Sequence, residues 1–193
     1  MFKISNQFSI ACLKALGFNT LMLGALLSGF LLSMSKPAAS QNLGNRQVNF
    51  NSSPHLIRAA VATYPGVGAL AQYQFTVRVP DKAGKPVQAV KITQRENLER
   101  IRFAHSHSAA FAGDRFAGGS EVSIASVAGS ESSDSNEVTV VFEQPVPPGT
   151  TVTISLRGTR PTWGGIYLFG ITAFPIGENT QGSYLGSGRI AFP

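Results

Sequence analysis

His105-Ser106-His107 is the stretch whose residue types and spacing come nearest to chemistry. On an extended strand, side chains two apart share a face, so both imidazoles could reach one Zn(II) or Cu(II) ion. A closed site needs more ligands. His55, or carboxylates such as Asp114 and Glu121, would have to arrive from elsewhere in the chain; without them the pair is a solvated loop. Glu131, Asp134, Asn136 and Glu137 offer oxygens that suit Ca²⁺, yet they lack the alternation and glycine of an EF-hand loop and read as an acidic hairpin tip. Gly186-Ser187-Gly188-Arg189 has the composition of a phosphate-binding glycine loop, but no helix follows to aim N–H donors at an anion. Its glycines are better explained by a bulge or by close approach of backbones.

Two further groups suit binding rather than catalysis. Arg95, Arg100 and Arg102, with Glu96 and Glu99 among them, could engage an acidic polymer, because guanidinium groups pair bidentately with carboxylate or phosphate. The alternative is a wet strand face crossed by weak ion pairs. Trp163, the only tryptophan, lies in Pro161-Thr162-Trp163-Gly164-Gly165 and could either stack on a sugar ring or cap the core. Hydrolysis would need a nucleophile held by a base, or two poised carboxylates. No serine sits in a Gly-x-Ser-x-Gly elbow, and three histidines supply few bases. The expectation is therefore a non-enzymatic protein without a cofactor. Its weak binding candidates are Arg95, Arg100, Arg102 and Trp163, and its weak metal candidates are His105 and His107.

These residues must be positioned by strands, since no segment after residue 40 keeps a helical period. Tyr73, Phe75, Val77 and Val79 alternate with Gln72, Gln74, Thr76 and Arg78, a pattern with one buried and one wet face. Pro80 to Pro86 then reads as a polar turn, with Val87 to Thr93 as the second strand of the same hairpin. Leu56 to Thr63 precedes them as a first strand, followed by a turn at Tyr64-Pro65-Gly66-Val67-Gly68. Residues 105–120 read as a long loop, either functional or loosely ordered. Val138, Val140 and Phe142 form a later strand. Pro148-Gly149 suits the centre of a type II turn before Val152, Ile154 and Leu156. Gly164 to Pro175 is apolar on both faces, which predicts a strand covered on both sides. Gly170 within it leaves a notch for a neighbour, so Gly170→Val should overpack. A closing strand runs from Tyr184 to Phe192. Eight or nine short strands at these spacings predict an all-β fold, an antiparallel, immunoglobulin-like β-sandwich. An outer-membrane barrel of eight strands would fit the count but not the absence of aromatic girdles.

Of the 193 residues, the first forty stand apart. They carry Lys3, Lys14 and Lys36, no acid, and an apolar run from Leu21 to Leu32 that is shorter than the roughly 20 residues a spanning helix needs. This predicts a secretory signal peptide over residues 1–40, with cleavage after Ser40 set by the small residues Ala38 and Ser40. Retention as an N-terminal anchor is the alternative. A polar lead-in over residues 41–54 and a single domain over 55–193 would follow. The chain's net charge of +6 falls to +3 without the leader, and no basic run remains, which argues against nucleic acid as a partner. Cys12, the only cysteine, is lost with the leader, so the domain carries no disulfide and must be held by its core.

Several later motifs together resemble a known family. They are Ile101-Arg102-Phe103, Pro145-Val146-Pro147-Pro148-Gly149-Thr150-Thr151-Val152-Thr153-Ile154, Tyr167-Leu168-Phe169-Gly170 with Thr172-Ala173-Phe174-Pro175, and Tyr184-Leu185-Gly186 with Gly188-Arg189. They are similar to exported cyanobacterial proteins grouped as domain of unknown function 2808, over roughly Pro54 to Phe192. The resemblance implies a cyanobacterial source and a periplasmic or cell-envelope location, and it brings no catalytic residue. Between His105 and Gly119 the chain departs from that pattern, with Ser, Ala and His where more charged residues are expected. The functional expectation is a non-catalytic binding or structural module of the envelope. Its partner would be an envelope polysaccharide or another envelope protein, with no membrane contact after cleavage. The alternative is a periplasmic metal-handling protein using the His105-His107 loop.

Overall fold

The computed structural model describes residues 47–63, 70–115, 117–129 and 136–193. The leader, the turn after the first strand and the acidic tip with Glu131 and Asp134 lie outside them. Nine strands follow in order: β1 His55–Thr63, β2 Leu70–Arg78, β3 Val87–Gln94, β4 Phe103–Ala112, β5 Ile124–Ala128, β6 Glu137–Val146, β7 Thr151–Thr159, β8 Gly165–Pro175 and β9 Ser183–Phe192. One sheet has the order β1-β2-β7-β4 and the other β5-β6-β3-β8-β9, with antiparallel pairing throughout. This is the expected immunoglobulin-like sandwich. Among the described residues, no helix is long and apolar enough to cross a membrane.

The alternation legible in the sequence sets the core. Tyr73, Phe75 and Val77 of β2 and Val152, Ile154 and Leu156 of β7 are fully buried. They face Val90 and Ile92 of β3, Val138, Val140 and Phe142 of β6, and Tyr167, Phe169 and Ile171 of β8, which are buried as deeply. Phe169 reaches across the interface to the rings of Phe75 at 5.4 Å, Tyr73 at 6.1 Å and Phe103 at 6.3 Å. These separations suit edge-to-face and tilted aromatic packing. Buried Tyr73 meets its polar requirement by donating to the Thr159 carbonyl at 2.7 Å, and burial pushes its phenol well above the ordinary value.

Three expectations need correcting. First, β2 and β3 are not a hairpin, because they belong to different sheets. The connection carries its own apolar anchors, Val79 and Ala83, into the core through a 3-10 turn at Asp81–Ala83, and Gly84 at φ 72° redirects the chain across the sandwich. Second, much of residues 105–120 is strand rather than loop, since β4 runs to Ala112 on the edge of the four-stranded sheet. Third, β8 is covered on one side only. Its inner residues Tyr167, Phe169, Ile171 and Ala173 are buried, whereas Ile166 and Leu168 on the outer side are 47% and 41% exposed.

The turn before β7 matches its expected type. Thr150 N–H donates to the Pro147 carbonyl at 3.3 Å, and Gly149 adopts φ 82° at the third position, as a type II turn requires. The lead-in is tied down at Val48, which donates to the Asn179 carbonyl and accepts from Gln181 N–H across the β8–β9 connection.

The β3–β4 connection turns on a buried polar side chain. Gln94 is 2% exposed; its amide donates to the Glu99 carbonyl at 2.7 Å and accepts from Ile101 N–H at 2.8 Å. Leucine is near in size but can make neither bond, which strands an N–H at a buried residue. Gln94→Leu is expected to cost about 2 kcal/mol, read as a lower urea midpoint.

Candidate functional site

The outer face of the five-stranded sheet carries an open groove of about 860 Å³ along β3, β8 and β9. Strand register sets its lining in rows. Lys91, Thr172 and Tyr184 lie across from one another, as do Thr93, Gly170 and Ser187, and Leu168 lies opposite Arg189, which stands on the same outer face beyond the groove's lining. Arg95 continues β3 past its end, its N–H donating to the Leu168 carbonyl at 2.8 Å. Asn136 and Glu96 complete the wall.

Tyr184 organises this surface. Its ring lies over Gly170, where a Cβ would stand 3.3 Å from Tyr184 Cε2. Its hydroxyl shares a 2.6 Å hydrogen bond with Ser187 Oγ and accepts a longer one, at 3.4 Å, from Arg95 Nη2. The Ser187 hydroxyl and then the Arg95 guanidinium hold the phenol below its ordinary pKa. The ring is thus fixed on one side while remaining 53% exposed on the other. Beside it Lys91 pairs with Glu137 at 3.4 Å, and Thr93 Oγ1 donates to the same carboxylate oxygen at 3.3 Å.

The glycine notch expected in β8 is therefore occupied, by a half-exposed side chain rather than a core group. Gly170→Val should push the Tyr184 ring outward. Because that ring can yield, the stability cost is expected below about 1 kcal/mol rather than the 1 to 3 kcal/mol of core overpacking. Unchanged urea unfolding together with a shifted Tyr184 ring resonance is the expected result.

The residues singled out from sequence are divided by the fold. Arg95 lies in the groove, and Arg100 lines an adjoining hollow with Gln94, Arg95, Asn97 and Asn136. Arg102 is on the other sheet's side, its backbone paired with Thr159 of β7. Trp163 does not cap the core: its side chain is 64% exposed, and its N–H donates to Glu99 Oε2 at 2.9 Å. That bond, first among its causes, holds the Glu99 carboxyl below its ordinary pKa. A depressed carboxyl contributes its tethering fully above the unfolded-state pKa, and the contribution is lost as pH falls through the lower folded value. Emission from Trp163 is accordingly expected to stay constant from neutral pH down to the carboxylate range and then change before global unfolding. Glu99→Gln should abolish that early step.

His105 and His107 fall where β4 bulges. Ala104 pairs with Arg157 and Ala109 with Ser155, so residues 105–108 stand out from the ladder opposite one partner residue. His107 is exposed at φ 71°, outside regular strand geometry. Among the described residues, no three His, Cys, Asp or Glu side chains group as a metal site would need. Asp114 is exposed and lies 4.0 Å from Arg115, and Glu121 forms a bridge with Phe111. Gly186 and Gly188 serve structure. Gly186 adopts φ 115° at the bulge in the β8–β9 ladder, and Gly188 brings β9 against Ala59 of β1.

Sequence reasoning found Arg95 and the notch at Gly170 but missed Tyr184, Thr93, Thr172, Lys91 and Ser187 as their neighbours. The available signal was parity. In a strand whose Tyr167, Phe169 and Ile171 point inward, Leu168, Gly170 and Thr172 must point out.

No curated protein matches the chain. Among solved structures it is similar to the Staphylococcus aureus collagen adhesin, with 9% identity, TM-score 0.40, and coverage of 72% of this chain and 49% of that one. It is also similar to the C-terminal domain of the Streptococcus agalactiae AgI/II polypeptide BspA, with 10% identity, TM-score 0.44, and coverage of 72% and 50%. For the major pilin SpaD of Corynebacterium diphtheriae, the values are 13% identity, TM-score 0.42, and coverage of 72% and 33%. The chain thus spans half or less of the length of each of these three structures. A family model described as "Protein of unknown function (DUF2808)" matches residues 47–192, and the chain belongs to that family.

Proposed function

We propose that this protein is an exported, non-catalytic binding module of a cyanobacterial cell envelope, and that it holds an envelope polysaccharide across the outer face of its five-stranded sheet. The observation that carries the reading is the Tyr184 ring, seated on Gly170, tethered by Ser187 and Arg95, and open to solvent within a groove of hydroxyl, amide and charged side chains. A fixed aromatic face with polar groups around it suits a sugar ring, whose C–H face stacks while its hydroxyls hydrogen-bond. The groove is open to solvent on the outer face of the sheet, so a polymer can lie in it without threading. Export rests on the leader over residues 1–40 with cleavage after Ser40. The exported segment comprises the lead-in 41–54 and the domain 55–193.

The test is co-sedimentation of the full chain, expressed with its own leader so that the cell processes it, with purified envelope polysaccharide of the producing cell. Binding that falls at least tenfold in Tyr184→Ala at an unchanged urea midpoint supports the reading. Undiminished binding by that variant would move the contact off this face.

A further inference from the structure

The outer face around Tyr184 carries cations, with the Glu96 carboxylate beside Arg95 in the groove wall. Leu168 is flanked on its outer face by Arg95 on one side and Arg189 on the other, in the ladders β3–β8–β9. Two strand spacings separate these arginines, about 10 Å between backbones. Lys91 is neutralised by Glu137, but among the described residues neither Arg95 nor Arg189 stands in an ion pair with a carboxylate. Arg95 instead donates one N–H to the Tyr184 hydroxyl, which tethers its guanidinium beside the phenol and leaves further donors for a ligand. Guanidinium favours planar, two-oxygen acceptors, so the groups that best complete this pair are carboxylates carried by sugar rings.

We infer that the groove is a subsite for a carboxylated polysaccharide, in which one sugar ring stacks on Tyr184 while Arg95 and Arg189 take carboxylates along the chain. This deepens the polysaccharide reading above and rests on it. Thr93, Thr172 and Asn136 then meet ring hydroxyls.

The experiment uses the same processed full chain in affinity electrophoresis through gels containing polygalacturonate or neutral dextran, at low and at high NaCl. The expected result is retardation by polygalacturonate alone, weakened at least tenfold at high salt as charges are screened. Tyr184→Ala and the double variant Arg95→Gln, Arg189→Gln should each lose at least tenfold. Arg78→Gln, which removes an exposed arginine from the four-stranded sheet, should bind as the natural chain does. Equal, salt-insensitive retardation by dextran that Tyr184→Ala abolishes would overturn the carboxylate inference while leaving the face as a glycan site. Loss in Arg78→Gln equal to that in the double variant would reduce the binding to general charge attraction and overturn the inference too. Retardation by neither polymer, in a chain that still sediments with envelope polysaccharide, would overturn the inference alone; absence of both would remove the polysaccharide reading with it.

Discussion

Phe169→Ala is expected to destabilise the protein by about 3 to 5 kcal/mol, the range for deleting a fully buried aromatic ring. Phe169 is the point where the two sheets interlock. It projects from β8 and touches Tyr73, Phe75 and Phe103, which come from β2 and β4 of the opposite sheet. Removing it leaves a cavity lined by three rings, of which Tyr73 is held in place by its bond to the Thr159 carbonyl. Little collapse can refill the space. A domain of this size is stable by only about 5 to 15 kcal/mol, so the variant should show a large fall in urea midpoint and partial unfolding at moderate temperature. Phe169→Leu should recover more than half of the loss. A midpoint within experimental scatter of the natural chain would mean that the sheets are held together elsewhere.

Gly188→Val should cost about 3 kcal/mol, at the upper end of ordinary overpacking. Gly188 is the ladder neighbour of Phe169 on β9 and faces the core side. There the edge strand of one sheet meets the edge strand of the other, and a Cβ at Gly188 would collide with the Ala59 Cβ of β1. Unlike the Tyr184 ring above Gly170, that atom cannot swing into solvent, because Ala59 is fixed by its own ladder to Phe75. The two glycines, eighteen positions apart, should therefore respond oppositely to the same substitution: Gly188→Val in stability, Gly170→Val in ring position. Similar urea midpoints for the two variants would contradict this.

What the sequence could reveal follows from the range of the forces involved. Strand positions were legible because alternation is local: Tyr73, Phe75 and Val77 announce their own inward face. The type II turn at Pro148-Gly149 was legible for the same reason, since proline and glycine act on their own backbone. Sheet membership was not. Whether β3 pairs with β2 or crosses to the other sheet depends on Val79, Ala83 and the positive φ at Gly84 acting together, and alternation on either side is the same in both arrangements. Burial on the outer face was equally hidden. Ile166 and Leu168 look like core residues in sequence, and only the absence of a covering layer makes them surface. The groove depends on β8–β9 register at a bulge, which brings Tyr184 onto Gly170 from fourteen positions away.

Hydroxyl-radical footprinting with and without the producing cell's envelope polysaccharide tests the placement of the contact most directly, because it reads side-chain access on each face separately. Tyr184, Leu168, Ile57 and His107 are all exposed in the free protein and so all open to oxidation. The polysaccharide is expected to shield Tyr184 and Leu168 while Ile57 and His107 oxidise as before. Protection of Ile57 or His107 with Tyr184 left open would contradict it.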